Sequence, residues 1–401
     1  MIDSHFKQRL DELKHEGNYR VFIELERIPG KSPSVIWHSP NGSREVVVWC
    51  SNDYLGMSGH PKVLQAMRDA IDVGETGAGG TRNIAGTNRL HVQLEHLLAK
   101  LHHKPAALTF TSGYVANLTS LAVLGSLLPN VVFLSDALNH NSMIEGIRRS
   151  GAAKLVFKHN DMSDLESKLS SLPADQTKIV VFESVYSMNG SIAPTREIVS
   201  VSKKYGALTY LDEVHAVGMY GELGGGIAQA QQCEDEIDVI QGTLGKAFGV
   251  SGGYIAGNSE IVDCVRSFGH GFIFSTALPP VIAAGASASV THLMQSDVER
   301  NAQMRHVGLL KQALSKNGIL TLPSQSHIVP VEVGDAIQVK KLTDELLIEH
   351  DQYAQPINYP TVPRGSERIR LTPGPMHNED LINQFVQALN VVWHKLGLPH
   401  N

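Results

Sequence analysis

Three short segments hold residues whose types and spacing could do chemistry. The first is Gly242-Thr243-Leu244-Gly245-Lys246-Ala247-Phe248-Gly249. A lysine between glycines, just after the apolar run 239–240, is oddly placed for a solvated surface charge. Partial burial lowers an amine's pKa, and glycines let a bulky ligand approach the backbone, which is the setting a Schiff-base lysine needs. A turn lysine is the bland alternative and, taken alone, the preferred one. A P-loop is excluded, because Ile240 stands where its first glycine is required and Ala247 where its Ser or Thr is.

The second segment is Leu211-Asp212-Glu213-Val214-His215. Asp212 at a strand end could pair with a protonated pyridine nitrogen and keep such a ring an electron sink. His215 could then reach a ring oxygen. Asp212 as a helix cap explains the position about as well. The same letters resemble the metal-binding box of a nucleic-acid helicase, which needs the P-loop that the chain lacks. The third segment, Ser112-Gly113-Tyr114-Val115-Ala116-Asn117, opens an apolar helical run whose free N–H groups suit a phosphate. His140 could stack on an aromatic ligand, although a capping role is preferred for it singly. Gly77-Ala78-Gly79-Gly80-Thr81-Arg82 fails as a dinucleotide fingerprint and reads as a flexible active-site loop.

These residues need elements to position them. Apolar runs at 131–134, 179–182, 208–211 and 239–240 alternate with helical patterns such as 194–205, closed by Gly206. Continuous apolar strands between helices predict a mostly parallel sheet covered on both faces. Polar residues just past the strands, Ser135, Glu183, Asp212 and Thr243, then fall on the carboxyl edge where such sheets bind ligands. Phe6, Leu10 and Leu13 predict an N-terminal helix stopped by Gly17, and Pro61 opens a second that ends at Gly74. Helices near 301–316, 339–350 and 379–395 alternate with short strands near 327–333 and 368–371. The expected division is an N-terminal helix and small strands over 1–50, a large α/β domain over 51–285 and a smaller α+β domain over 286–401.

Composition narrows the class. A 42% hydrophobic, 18% charged chain of 401 residues is globular, and a net charge of -6 gives no general pull toward nucleic acid or an anionic membrane. Three scattered cysteines make neither a disulfide framework nor a metal site. The stretch 118–134 is broken by polar residues and reads as a helix running into a strand rather than a membrane span. The N-terminus has no signal or transit pattern, so a cytoplasmic protein is expected.

The segments also match as a set. Trp49-Cys50-Ser51-Asn52-Asp53-Tyr54-Leu55-Gly56-Met57 is followed by Gly80-Thr81-Arg82-Asn83-Ile84-Ala85-Gly86-Thr87 and Asn139-His140-Asn141-Ser142-Met143-Ile144-Glu145-Gly146. Phe182-Glu183-Ser184-Val185-Tyr186-Ser187-Met188, the Asp212 and Lys246 segments, Phe272-Ile273-Phe274-Ser275-Thr276 and the stretch 355–365 complete the series. From Phe6 to Leu396 the chain closely resembles the α-oxoamine synthases, a fold-type I pyridoxal phosphate family, and within it the branch that forms 5-aminolevulinate.

The resemblance implies a role for each residue. Lys246 would carry the cofactor as a Schiff base and act as base at the glycine α-carbon. Asp212 would hold the pyridine nitrogen and His140 would stack on the ring. His215 and Ser187 would serve the ring oxygen. Gly113, Tyr114 and Thr243 would hold the phosphate, with Ser275 and Thr276 reaching in from the second subunit of a homodimer. Asn52 and Arg370 would bind the glycine carboxylate, with Tyr54 nearby. Arg20, Thr81, Asn83 and Ile84 would receive the succinyl carboxylate, and Ser135, Lys154 and Thr361 would contact the acyl-CoA. The implied reaction condenses glycine with succinyl-CoA and releases CoA and carbon dioxide. No metal, nucleic-acid or membrane partner is implied.

Departures from the family pattern are Asn189-Gly190-Ser191, Ala85, and Gly374 in place of a usual serine, which is expected to loosen the loop beside Arg370. Competing readings are a sibling using acetyl-CoA or a longer acyl-CoA, and a binding-only protein that kept the fold. Arg20 and Thr81 argue against the first, because a neutral tail gives Arg20 nothing to pair with. Lys246 and Asp212 argue against the second.

Overall fold

A computed structural model describes residues 2–74 and 76–399. The chain divides into two compact units. One comprises residues up to 56, 187–191 and those from 301 on; the other comprises 57–186 and 192–300. The expected separate N-terminal segment is thus absorbed by the C-terminal one. The reason is strand pairing: Gly42–Val48 lies parallel to Gln352–Tyr353. The boundary expected at 285 falls instead at 300, because helix Pro280–Gln295 packs on helices Pro61–Val73 and Arg89–Leu101 of the larger unit.

The larger unit is built on a seven-stranded sheet. Its order is Ala106–Phe110, Gly253–Gly257, Val239–Thr243, Leu208–Asp212, Lys178–Glu183, Val132–Asp136 and Ala153–Phe157. All neighbours are parallel except Gly253–Gly257, which runs antiparallel to both of its own. Alternate side chains face opposite sides. Phe133, Ile179, Val181 and Tyr210 enter one buried cluster, while Val132, Leu134, Val180, Phe182 and Leu211 enter the other. Both faces are therefore covered, as the apolar runs predict. The stretch at 118–134 resolves into helix Gly113–Leu127 and strand Val132–Asp136. Register sets Glu183 beside Asp212, and Asp212 beside Gln241, along the carboxyl edge.

The smaller unit has a four-stranded sheet, whose long strands are Ser34–Ser39 and Gly42–Val48, and a three-stranded antiparallel sheet centred on Arg368–Leu371. Helices Ala336–His350 and Glu379–Lys395 close a core around Trp49, Val331, Leu342, Ile369 and Phe385. The N-terminal helix forms over Ile2–His15 and Gly17 turns left-handed as expected. Its apolar stripe stays uncovered: Phe6 is 65% exposed. Among the described residues no helix is long and apolar enough to cross a membrane.

Candidate active site

Asp212 ends its strand in a fully buried position. One oxygen accepts from Asn117 Nδ2 at 2.7 Å and the other from the Val214 N–H at 2.8 Å. Asn117 is itself fixed, accepting from the Tyr210 hydroxyl at 2.9 Å and donating to Ser142 Oγ at 3.0 Å. Ser142 Oγ lies 2.8 Å from His140 Nδ1. A continuous hydrogen-bonded chain thus runs from Asp212 to His140. Glu183, next to Asp212 in the sheet, accepts from the His140 N–H at 2.7 Å.

Burial dominates the electrostatics of this group. It raises the Asp212 carboxyl, against the pull of Asn117, and lowers the His140 imidazole. It also raises Glu183 well above the ordinary carboxyl range, with the Asp212 charge adding to the effect. The Lys246 charge acts on all three groups. Lys246 is half-buried in the turn after strand Val239–Thr243. His215, the residue after Val214, is buried. A buried carboxylate anchored by neutral donors is costly unless a cation shares it. A protonated pyridine nitrogen fits that need.

The phosphate candidates meet at the start of helix Gly113–Leu127, whose first N–H groups have no intrahelical partner. Ser112 caps it, accepting from the Val115 N–H at 3.2 Å. A Cβ at Gly113 would come within 3.5 Å of Thr243 Oγ1. Thr243 is held by the Gly252 carbonyl at 3.0 Å. Thr81, expected at the succinyl carboxylate, and Thr276, expected to reach in from a second subunit, are joined by a β-bridge within one chain. Ile84 is 69% and Phe274 is 76% exposed beside them. Thr81 donates to Asn83 at 2.7 Å. The glycine-rich loop is tied down rather than free, because Arg82 grips the Glu95 carboxylate with both amino groups. Ser275 is half-buried. Ser135 is buried and accepts from Asn139 at 2.9 Å, whereas Lys154 lies exposed on the edge strand.

The smaller unit gathers the carboxylate-binding candidates. Arg370, buried in strand Arg368–Leu371, donates to Asn52 Oδ1 at 2.6 Å and to the Ser187 carbonyl at 3.3 Å. Tyr54 donates to the same Asn52 oxygen at 3.3 Å and packs edge-on against His327. Burial drives the His327 imidazole down to about 3, so it stays neutral. No carboxylate pairs with Arg370 among the described residues. The Gly374 loop is firm: its N–H donates to His377 Nδ1 at 2.9 Å and its carbonyl lies 3.0 Å from His306 Nδ1. Arg20 lines a cavity of about 460 Å³ with Asn358 and Thr361. It donates to Thr361 Oγ1 at 3.0 Å and has no carboxylate partner among the described residues.

Sequence reasoning placed Glu183 on the carboxyl edge without giving it a role, and gave none to Asn117 or Ser142. The signal for Glu183 was present, since it ends an apolar strand. Asn117 faces Asp212 across 95 residues of chain, and nothing local marks it. His140 caps a helix, accepting from the Ser142 N–H at 3.2 Å, as its bland reading expects.

Behind Asp212, Glu213 turns the other way. It accepts from Ser184, from the Ile227 N–H at 3.1 Å and from the Ala228 N–H at 2.8 Å. Burial raises its carboxyl from the ordinary 4.5 to about 7. The folded state therefore holds this proton more tightly than the unfolded chain. The contribution to stability is full below pH 4.5, falls as pH rises and is lost by about pH 7. Glu213→Gln is expected to flatten that part of the curve, by about 3 kcal/mol across the window. Denaturant melts of both proteins between pH 4.5 and 8 check it, and parallel curves overturn it.

Comparison with known proteins gives the family. The aminotransferase class I and II family model matches residues 44–389. The 5-aminolevulinate synthase of Bradyrhizobium diazoefficiens is 54% identical over 98% of this chain and 96% of its own. That of Rhizobium meliloti is 54% identical over 99% and 98%. Among solved structures, a serine palmitoyltransferase with pyridoxal phosphate as internal aldimine superposes with a TM-score of 0.91 at 28% identity, covering 98% of each chain. The Sphingomonas wittichii serine palmitoyltransferase gives 0.90 at 29%, covering 99% of this chain and 98% of its own. The fold is that of the fold-type I pyridoxal phosphate transferases, and the chain belongs to the 5-aminolevulinate synthase family.

Proposed function

We propose that the chain condenses glycine with succinyl-CoA, releases CoA and carbon dioxide and forms 5-aminolevulinate, with the following division of labour. Pyridoxal phosphate, when bound, supplies a cationic ring that takes up the electron pair left at the glycine α-carbon. Lys246 would hold the cofactor covalently and, once glycine takes its place, move the α-proton. Asp212 would hold the pyridine nitrogen, His140 the ring face, and His215 and Ser187 the region of the ring oxygen. Gly113, Tyr114 and Thr243 would take the phosphate.

Arg370 carries the reading. A buried guanidinium that meets an amide, a carbonyl and the Tyr54 side chain, with no carboxylate partner among the described residues, keeps its charge available for a small carboxylate. Asn52 and Tyr54 converge on it, which supports glycine as the ligand. Ser275 and Thr276, with Thr81, Asn83 and Ile84, would serve the active site of a second copy. The exposed Ile84 and Phe274 support a homodimer. Ser135, Lys154 and Thr361 would contact the acyl-CoA. The test is to follow CoA release with glycine and a panel of acyl-CoA thioesters and to identify the product. Absence of 5-aminolevulinate from succinyl-CoA overturns the reading.

Arg20 would read the succinyl carboxylate. A charge-assisted hydrogen bond is worth roughly 1.5–3 kcal/mol, or about tenfold to a hundredfold in kcat/KM. Arg20→Leu is expected to lose succinyl-CoA activity by about that factor and to keep or gain activity with butyryl-CoA. An unchanged ratio between the two thioesters removes Arg20 from acyl selection.

A further inference from the structure

His60 meets His292 and Glu299, more than two hundred residues further along the chain, on the larger unit outside the groups described above. His60 caps helix Pro61–Val73, its Nδ1 accepting from the Lys62 N–H at 3.3 Å, which leaves Nε2 as the outer nitrogen. His292 lies in helix Pro280–Gln295, and its ring sits 4.3 Å from that of His60, tilted by 32°. His292 Nε2 is 2.7 Å from Glu299 Oε1 in the first turn of helix Val298–Lys316. The other Glu299 oxygen accepts from Ser296 Oγ at 2.9 Å. One ligand atom from each residue lies within 4.8 Å of the others.

We infer that His60, His292 and Glu299 bind one borderline divalent transition metal ion, zinc being the test case. The pair His292–Glu299 alone could be an ordinary ion pair. The stacked His60 ring makes it a set of two imidazoles and a carboxylate, the donors zinc takes in three-ligand sites that keep a fourth position open. Zinc ligands sit at about 2.0–2.2 Å from the ion and so about 3.4 Å from one another; the His292–Glu299 pair, now 2.7 Å apart, must open slightly while the set, now within 4.8 Å, settles around the ion. Side-chain rotation supplies that. Two imidazoles disfavour magnesium and calcium, which select oxygen. The Ser296 hydroxyl orients the carboxylate, as outer hydrogen bonds do at metal sites.

Binding rearranges one contact. Lys62 Nζ lies 3.3 Å from His292 Nδ1. In the pair, the His292 proton sits on Nε2 toward Glu299. Coordination through Nε2 moves that proton to Nδ1, so the Lys62 ammonium must swing away on its flexible stem. The metal would then brace the turn at 57–60. That turn supports the lysine segment: a Cβ at Gly249 would overlap the backbone of Met57 and Ser58. The expected consequence is higher stability rather than new chemistry.

The experiment uses untagged holoenzyme, freed of unbound cofactor. Zinc is titrated by calorimetry, and Tm is followed with and without it. One zinc per protomer and a raised Tm are expected, with no response to magnesium. His60→Gln and His292→Gln should each weaken zinc binding by about a hundredfold or more, and Ser296→Ala by about tenfold. Cobalt loaded into the wild-type protein should give visible d–d bands that zinc displaces, a readout independent of any variant. Unchanged zinc affinity in folded His60→Gln/His292→Gln overturns the site. So does the absence of saturable zinc binding or of cobalt bands in the wild type.

Discussion

Lys246→Ala, supplied with cofactor, is expected to lose turnover by about 10⁴-fold or more while still binding the cofactor reversibly. The lysine is asked to do two things that no neighbour can replace. It would hold the cofactor covalently, and its freed amine would remove the glycine α-proton. Positioned general bases alone contribute about 10²–10⁴-fold, so losing both functions should reach the upper end. The Lys246 charge acts on Asp212, Glu183 and His140 together, which sets this amine in the buried group. Borohydride reduction of the wild-type protein followed by peptide mapping should place the pyridoxyl label on Lys246. A small primary amine added to Lys246→Ala should restore part of the α-proton removal, which a merely structural lysine would not permit. A label on another lysine, or turnover within tenfold of wild type, overturns the assignment.

Lys246 and Asp212 were legible because a strand end has a local signature. An apolar run stops, and the first polar residue past it faces the carboxyl edge. The same logic placed Thr243 and Glu183 on that edge. The helix that opens at Gly113 was legible for a similar reason, since small residues begin a long apolar helix. Register was not legible. That Glu183 stands beside Asp212 follows from the pairing of two strands separated by the helix Thr195–Lys204. The Asn117 amide reaches Asp212 only because helix Gly113–Leu127 packs over the sheet, and an asparagine inside an apolar helix carries no mark of what it faces.

Domain limits failed for a related reason. Strand Gly42–Val48 pairs with residues more than three hundred positions away, and composition changes do not report such pairings. The stripe of Phe6, Leu10 and Leu13 told the helix but not its cover. Gly374 shows the limit of reading single substitutions. A glycine suggests a loose loop, yet His306 and His377 hold its carbonyl and N–H. His60, His292 and Glu299 give the plainest case, being ordinary surface letters until three helices bring them together.

Asp212→Ala is expected to abolish exchange of the glycine α-proton with solvent, by about a thousandfold or more. Removing one preorganised charge-stabilising group from a water-poor site costs about 10²–10³-fold, and here the group would also set the charge of the ring that accepts the electron pair. Two variants separate charge from packing. Asp212→Asn keeps the volume and one acceptor but removes the negative charge, so it should fall nearly as far as alanine. Asn117→Ala keeps the charge but frees one carboxylate oxygen from its 2.7 Å contact. It should cost only about tenfold, and it should move the pH dependence of exchange, because Asn117 pulls against the burial that raises the Asp212 carboxyl. Removing that pull raises the carboxyl further, so exchange in Asn117→Ala should fail at a higher pH on the acid side than in the wild type. Proton exchange into glycine, followed by NMR without any acyl-CoA, isolates this step from acyl transfer. Wild-type exchange in Asp212→Asn would mean that the buried carboxylate supports the fold alone, and the ring charge would have to come from elsewhere.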